Sequence, residues 1–200
     1  GDVVRWIGSS VAGVSSMFQI ANRGKRSIVL DLQQDEGRAI LDDLIVEADV
    51  LVQNFRPGVA ERLDIAYADV AAVNPDIVYA DLTGFGPEGP YSHRRVYDTV
   101  IQAHSGMAAS QTGPNDEYPK FLKQLACDKV TAYTACQAIT AALFARERNG
   151  KGQLLELSML DATIAFHWTE GMAGHTWKGD RALRRHSRLA QDLVFETADG

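Results

Sequence analysis

Asn54, Phe55 and Arg62 stand out first among residues that could do chemistry, in the stretch Asn54-Phe55-Arg56-Pro57-Gly58 that leads into Arg62. An aromatic ring, two guanidinium groups and free backbone N–H groups lie within nine residues. A flat purine finds a partner on the ring, and a phosphate finds one on the guanidinium groups. The chemistry offered is recognition of a phosphorylated, nucleotide-like ligand. Other basic residues cluster at Arg23, Lys25 and Arg26, at Arg94 and Arg95, and at Arg184 and Arg185. Such clusters suit a small polyanion, and each also reads as a solvated surface. Among the acids, Asp128 sits at the expected start of a long helix. Aspartate is a favoured N-cap there. An ionised carboxylate at that place can also act as a nucleophile in acyl transfer. Tyr97-Asp98 opens another expected helix, where Asp98 reads as a cap or as a second catalytic carboxylate.

Several other chemistries lack their residues. Gly84-Phe85-Gly86-Pro87-Glu88-Gly89 fits the dinucleotide fingerprint literally, but Pro87 and Pro90 flank the last glycine and no helix is expected to open there. The fingerprint needs that helix, because its free N–H groups meet the pyrophosphate. A tight, ligand-facing loop is the better reading. His93, His104, His167, His175 and His186 form no H-x-x-x-H or H-E-x-x-H pair, so no metal site is expected. No G-x-S-x-G elbow is present, which disfavours an α/β serine hydrolase. Cys127 beside Asp128 reads as a small buried residue rather than a nucleophile.

The elements that must position these residues follow a βα pattern. Ser27–Leu32 reads as a strand and Asp35–Ala48 as an amphipathic helix with Ile40, Leu41, Leu44 and Ile45 on one face. Asp49–Gln53 reads as a buried parallel strand, and the Asn54 loop lies at its carboxyl end, where open α/β sheets bind ligands. Short helices near Val59–Leu63 and Tyr67–Val73 lead to Asn74-Pro75 and to a strand over Asp76–Leu82. Asp98–Met107 reads as helical and Gln111–Pro119 as a polar loop. The clearest helix, Asp128–Arg148, stops at Asn149-Gly150 with Arg146 and Arg148 in its last turn. A strand over Gln153–Ser158 and a helix from Leu160 to about His175 follow. Alternation of strands and helices predicts an α/β fold with a doubly wound, Rossmann-like parallel sheet. Arg181–Arg188 reads as a linker.

The chain has 200 residues, enough for about one domain with a sizeable core. Its formal net charge of −6 argues against nucleic acid and membrane surfaces as partners. Cys127 and Cys136 lie nine residues apart within one expected helical region, so a mutual disulfide is not expected and a reducing, cytoplasmic setting fits. No signal peptide opens the chain and no apolar run approaches the roughly 18 residues of a membrane span. Gly1-Asp2 without an initiator Met, and a final Thr197-Ala198-Asp199-Gly200 that reads as a turn awaiting a strand, suggest a piece cut at both ends.

Taken together, these stretches resemble the class III CoA-transferase family, which includes formyl-CoA transferase, carnitine CoA-transferase and the 2-methylacyl-CoA racemases. The likeness covers nearly the whole chain. It is carried by Gly1-Asp2-x-x-Arg5, Asn22-Arg23-Gly24-Lys25-Arg26-Ser27 with Asp31-Leu32, Ala48 to Gly58, Asn74-Pro75, Thr83 to Tyr91, Tyr97-Asp98 and Gly150-Lys151-Gly152-Gln153. Several collinear motifs are more specific than any one alone. The resemblance implies that residues 1–180 are part of a large, Rossmann-like CoA-binding domain that lacks its first βα unit, with 181–200 as linker and the start of a small domain. It also implies an interlocked homodimer, with coenzyme A entering as acyl-CoA and a carboxylic acid as acceptor. No metal is implied.

Residue by residue, the resemblance matches Asp128 to the family nucleophile, which carries CoA as an aspartyl thioester. Asn54 and Phe55 match residues along the adenine and pantetheine path, Arg62 an arginine near the phosphates, and Arg95 a basic residue just before the Tyr97 position. Arg23, Lys25 and Arg26 match phosphate partners less exactly, and Tyr97 with Asp98 falls in the cofactor-binding stretch. One departure bears on the branch. Racemases place a histidine immediately before the aspartate matched by Asp98, and this chain has Tyr97 there. The expected activity is therefore CoA transfer. A 2-methylacyl-CoA racemase or epimerase, and an inactive CoA-binding homologue, stand as alternatives.

Overall fold

The computed structural model describes residues 2–113, 116–172 and 176–179. The linker expected over Arg181–Arg188 and the small-domain start at 181–200 lie outside the described residues. The chain divides into two compact units, Gly1–Ile40 and Leu41–Gly200.

In the first unit a 3-10 turn over Val3–Trp6 is followed by a small antiparallel hairpin of β1 (Ser10–Val11) and β2 (Val14–Ser15). Helix α1 (Ser16–Ala21) is capped by the Ser15 hydroxyl, which accepts from the Phe18 N–H at 3.0 Å. Ser27–Leu32, expected as a strand, is not one here. It is extended, but a strand exists only through a hydrogen-bonded neighbour, and the segment has none among the described residues. Val29 is 94% exposed as a result. Helix α2 runs over Asp35–Glu47, with Asp35 and Glu36 in its first turn where the dipole favours acids. Of its expected apolar face only Ile45 is buried, while Ile40 and Leu44 remain exposed.

The second unit is built on a parallel sheet of β3 (Val50–Gln53), β4 (Val78–Thr83) and β5 (Gln153–Ser158), in the order β3-β4-β5. Apolar residues dominate the first half of β4, and Val78, Tyr79 and Ala80 are all buried. Helices α3 (Val59–Arg62) and α4 (Tyr67–Val73) make the crossover from β3 to β4. Asn74 closes it: its Nδ2 donates to the carbonyls of Ile45 at 2.9 Å and Ala48 at 3.0 Å, satisfying the end of α2.

After β4 the helical stretch expected over Asp98–Met107 breaks in two, α5 (Asp98–His104) and α6 (Met107–Ser110). The break falls at Gly106, whose φ of 82° suits glycine and ends a right-handed helix. Helix α7 (Ala126–Asn149) ends on Gly150 in the left-handed conformation, as its sequence predicts. Helix α8 (Met159–Gly171) is capped by Ser158, whose hydroxyl accepts from the Asp161 N–H at 3.2 Å. The tail of that expected helix reaches His175, which lies outside the described residues.

Two contacts set the direction of α7. Near its carboxyl end, Arg146 donates to the Asp49 carboxylate at 2.6 Å and to the Asp76 carbonyl at 3.1 Å, at the amino ends of β3 and β4. With 24 residues, α7 is about 36 Å long, against about 20 Å for a six-residue strand. Its amino end therefore projects past the carboxyl edge of the sheet. Gly152 lets β5 dock: a Cβ there would collide with the Ile77 carbonyl oxygen. We expect Gly152→Ala to cost at least about 1–3 kcal/mol, since backbone on both sides must shift. A thermal melt matching wild type would show that the strand can move aside.

Candidate active site

Asp128 lies in the first turn of α7, as its third residue rather than its N-cap. The N-cap is Leu125, whose side chain can bond nothing, so the helix begins without a cap of its own. The missing acceptor comes from another helix. Asp98, buried at 3% exposure, accepts the Asp128 N–H on Oδ2 at 3.1 Å. This corrects the expectation that Asp98 caps its own helix. It is the first residue of α5, behind Tyr97 as N-cap, and its carboxylate serves α7.

Gln102 completes the arrangement one turn along α5. Its Nε2 donates to Asp98 Oδ1 at 2.5 Å, and its Oε1 accepts the Leu122 N–H at 2.9 Å. Both oxygens of Asp98 are thus acceptors, the pattern of an ionised carboxylate. Asp128 is solvent-exposed as a residue, yet its carboxyl is held above the usual aspartate range. Partial desolvation by the surrounding protein is the larger cause, and the neighbouring Asp98 carboxylate is the second. Beneath it, Cys127 is fully buried. Burial pushes its thiol up, so it stays protonated and un-nucleophilic.

The loop after β3 lies at the carboxyl edge of the sheet, toward which the amino end of α7 points. Asn54 and Phe55 are exposed there, and Phe55 presents 43% of its surface. Gln53, which carries no site signal in its sequence context, orders the loop. Its Oε1 accepts the Phe55 N–H at 2.8 Å and its Nε2 donates to Asp81 at 2.7 Å, across the β3–β4 register. Burial, then Glu156, raises the Asp81 carboxyl, and the Gln53 bond opposes this. Arg62 ends α3, exposed, with its guanidinium folded toward Gly58.

Arg95 and Tyr97 are exposed on the extended lead into α5. Arg94 is engaged instead, stacked 4.4 Å from the Tyr91 ring centre. The Gly84–Pro90 loop opens no helix. Phe85, Tyr91 and His104 form a ring cluster with centres 5.3 to 5.5 Å apart, and Thr83 Oγ1 accepts the Gly86 N–H at 3.1 Å. Arg23, Lys25 and Arg26 are exposed on the turn after α1, in the first unit. Among the described residues no group of three or more His, Cys, Asp or Glu could hold a metal ion, and no helix is long and apolar enough to cross a membrane.

A parallel α/β unit that presents an acid on a helix amino end, at the same sheet edge as a loop of aromatic and guanidinium groups, suits acyl chemistry on a phosphorylated carrier. Comparison with known proteins gives the unit its family. The model of CoA-transferase family III matches residues 1–200, and the chain belongs to that family. It is 41% identical over its whole length to 52% of acetyl-CoA:oxalate CoA-transferase from Acetobacter aceti. Over 99% of its length it is 37% identical to 46% of formyl-CoA:oxalate CoA-transferase from Bradyrhizobium diazoefficiens. The crystal structure of a CaiB/BaiF family protein from Brucella suis superposes with a TM-score of 0.80 at 35% identity, covering 86% of this chain and 47% of that one. The chain spans about half the length of the curated relatives it matches.

Proposed function

We propose that the whole protein moves CoA from an acyl-CoA to a carboxylic acid through Asp128. The observation that carries this reading is the place of Asp128, a solvent-exposed residue with a partly desolvated carboxyl, in the first turn of α7, where its own N–H is held by Asp98. Asp128 attacks the thioester carbonyl, the C–S bond breaks, and CoA leaves as thiolate. The thiolate then attacks the aspartyl carbonyl of the mixed anhydride, releasing the donor acid and leaving an aspartyl-CoA thioester. The acceptor carboxylate attacks that thioester, expelling CoA thiolate and forming a second anhydride. Return of the thiolate to the acceptor carbonyl gives the new acyl-CoA and restores Asp128. An activated acyl bond persists at every stage, so no step meets the barrier of activating a free acid.

A small dicarboxylate of the oxalate type is the acceptor class we favour, from the names of the two relatives. Asn54, Phe55, Arg62, Arg95 and Tyr97 are the proposed CoA contacts, with Arg23, Lys25 and Arg26 as further phosphate partners. An interlocked homodimer and a cytoplasmic setting belong to the same proposal. Tyr97 in place of a histidine supports transfer over racemisation. Mass spectrometry of the whole protein incubated with acetyl-, formyl- and oxalyl-CoA, then quenched with hydroxylamine, tests the reading. Modification of the peptide holding Asp128 is expected. An unmodified Asp128, or a label on another carboxylate, would overturn it.

The CoA contacts have their own test. Arg62→Ala should weaken CoA binding by roughly 1.5–3 kcal/mol, the worth of a charge-assisted phosphate contact. Because Arg62 is exposed, the melting temperature should hold. Unchanged affinity by calorimetry would remove Arg62 from the site.

A further inference from the structure

Gln102 is fully buried in a helix that otherwise buries Asp98 and Ile101, and it is the most heavily bonded side chain near Asp128. Its Oε1 accepts the Leu122 N–H at 2.9 Å. Its Nε2 donates to Asp98 at 2.5 Å and lies 3.3 Å from the carbonyls of both Leu122 and Gln124. The two N–H bonds of one amide thus serve three acceptors, one going to the carboxylate and the other shared by the carbonyls. All the backbone groups belong to the turn that delivers the chain to Ala126, the first residue of α7. Leu122 and Ala126 pack against the buried cluster of Ile101, Met107 and Cys127, but the polar groups of the turn have few partners besides Gln102: Leu125 offers no side-chain cap, and the Ala126 N–H donates to the Gln124 carbonyl at 2.9 Å.

We propose that Gln102 is the positioning residue of Asp128. Its carboxamide fixes both the Asp98 carboxylate that holds the Asp128 N–H and the turn that leads into α7. The inference rests on the reading of Asp128 as nucleophile. Gln102 touches no reacting atom. It acts through Asp98, which it keeps as an acceptor by presenting only donors to Oδ1. Methionine at 102 would fill the same space without donors. Glutamate would set a second acid against Asp98. Methionine can hold neither Asp98 nor the 122–124 turn, and an ionised glutamate can accept from the turn but has no donor for Asp98.

The test uses the whole protein, with Gln102→Met, Asp98→Asn and the double variant. Steady-state transfer, the rate of acyl trapping on Asp128, and CoA affinity by calorimetry are read together. For Gln102→Met we expect kcat and the trapping rate to fall about tenfold to hundredfold, the cost of a small misplacement of a reacting group. CoA affinity and the KM for acyl-CoA should stay within about twofold, a split that a general loss of packing would not give. In the Asp98→Asn background the same change should cost much less, since the two act as one unit. Full additivity, a kcat at wild-type level, or a fall in kcat matched by loss of CoA binding would each overturn the positioning role. If Gln102→Met does not fold, Gln102→Glu is measured in the same three ways, and the same results support or overturn the role. Wild type that acquires no label on Asp128 defeats the nucleophile reading instead, so the two failures are distinguishable.

Discussion

Asp128→Asn in the whole protein should reduce CoA transfer by several orders of magnitude while leaving CoA binding within about twofold of wild type. An amide cannot attack a thioester to form the anhydride, so the reaction loses its first step rather than a contribution to it. Binding is expected to survive because the proposed CoA contacts, Asn54, Phe55 and Arg62, belong to other elements than Asp128. Stability gives the prediction a second, independent readout. In the folded protein the Asp128 carboxyl titrates above its ordinary range, from burial first and Asp98 second. Its ionised form is therefore disfavoured by folding, at every pH above the ordinary aspartate pKa. That penalty shrinks as pH falls through the folded pKa and is gone below the unfolded one. The asparagine side chain carries no charge to penalise. The variant's melting temperature at neutral pH should equal or exceed that of wild type, and the difference should vanish in acid. A variant that melts lower at pH 7 and turns over normally would mark Asp128 as a structural residue.

Asp98→Asn should lower transfer at least about tenfold and move the acid limb of kcat/KM to lower pH. Both oxygens of Asp98 accept, one from Gln102 and one from the Asp128 N–H. In an asparagine one of them becomes an NH₂ group, which must face a donor, so one bond is lost whichever way the amide turns. The shift in pH follows from charge. As the proposed nucleophile Asp128 would have to be ionised to attack, and the Asp98 carboxylate opposes that ionisation. Removing the charge lowers the Asp128 pKa, so the ionised fraction persists to lower pH even though the maximal rate is smaller. The neighbouring Cys127 thiol is pushed up and away from the range of the limb. A limb that stays in place or moves to higher pH would show that Asp98 does not act on Asp128 through its charge.

Much of this molecule is legible in its residues alone. Asp49–Gln53, read as a buried parallel strand, forms over Val50–Gln53 and is parallel, but of its residues only Gln53 is buried and Val52 stays 53% exposed; Gln153–Ser158, read as a strand, forms as expected. The Asn149-Gly150 stop ends α7 where expected, because a helix end with glycine in the left-handed conformation is a local event. The prolines around Gly89 argue against a phosphate-binding helix, and none opens there. The resemblance places Asp128 at the head of the long helix, and the helix begins two residues before it.

Other features depend on partners distant in sequence. Ser27–Leu32 has the residues of a strand, but pairing is decided by a neighbour, and among the described residues it has none. Asp98 looks like a local cap because it opens a helix. Only the tertiary structure shows that its carboxylate bonds a backbone N–H 30 residues away. Gln102 carries no motif at all, and its bonds span 20 and 22 residues to the turn before α7. A single amide one turn beyond an acid is the only trace it leaves in the sequence. Local conformational preference, periodicity and capping are written in neighbouring residues and can be read there. Which buried donor meets which carboxylate is settled when helices pack, because desolvated polar groups must find partners wherever the fold brings them.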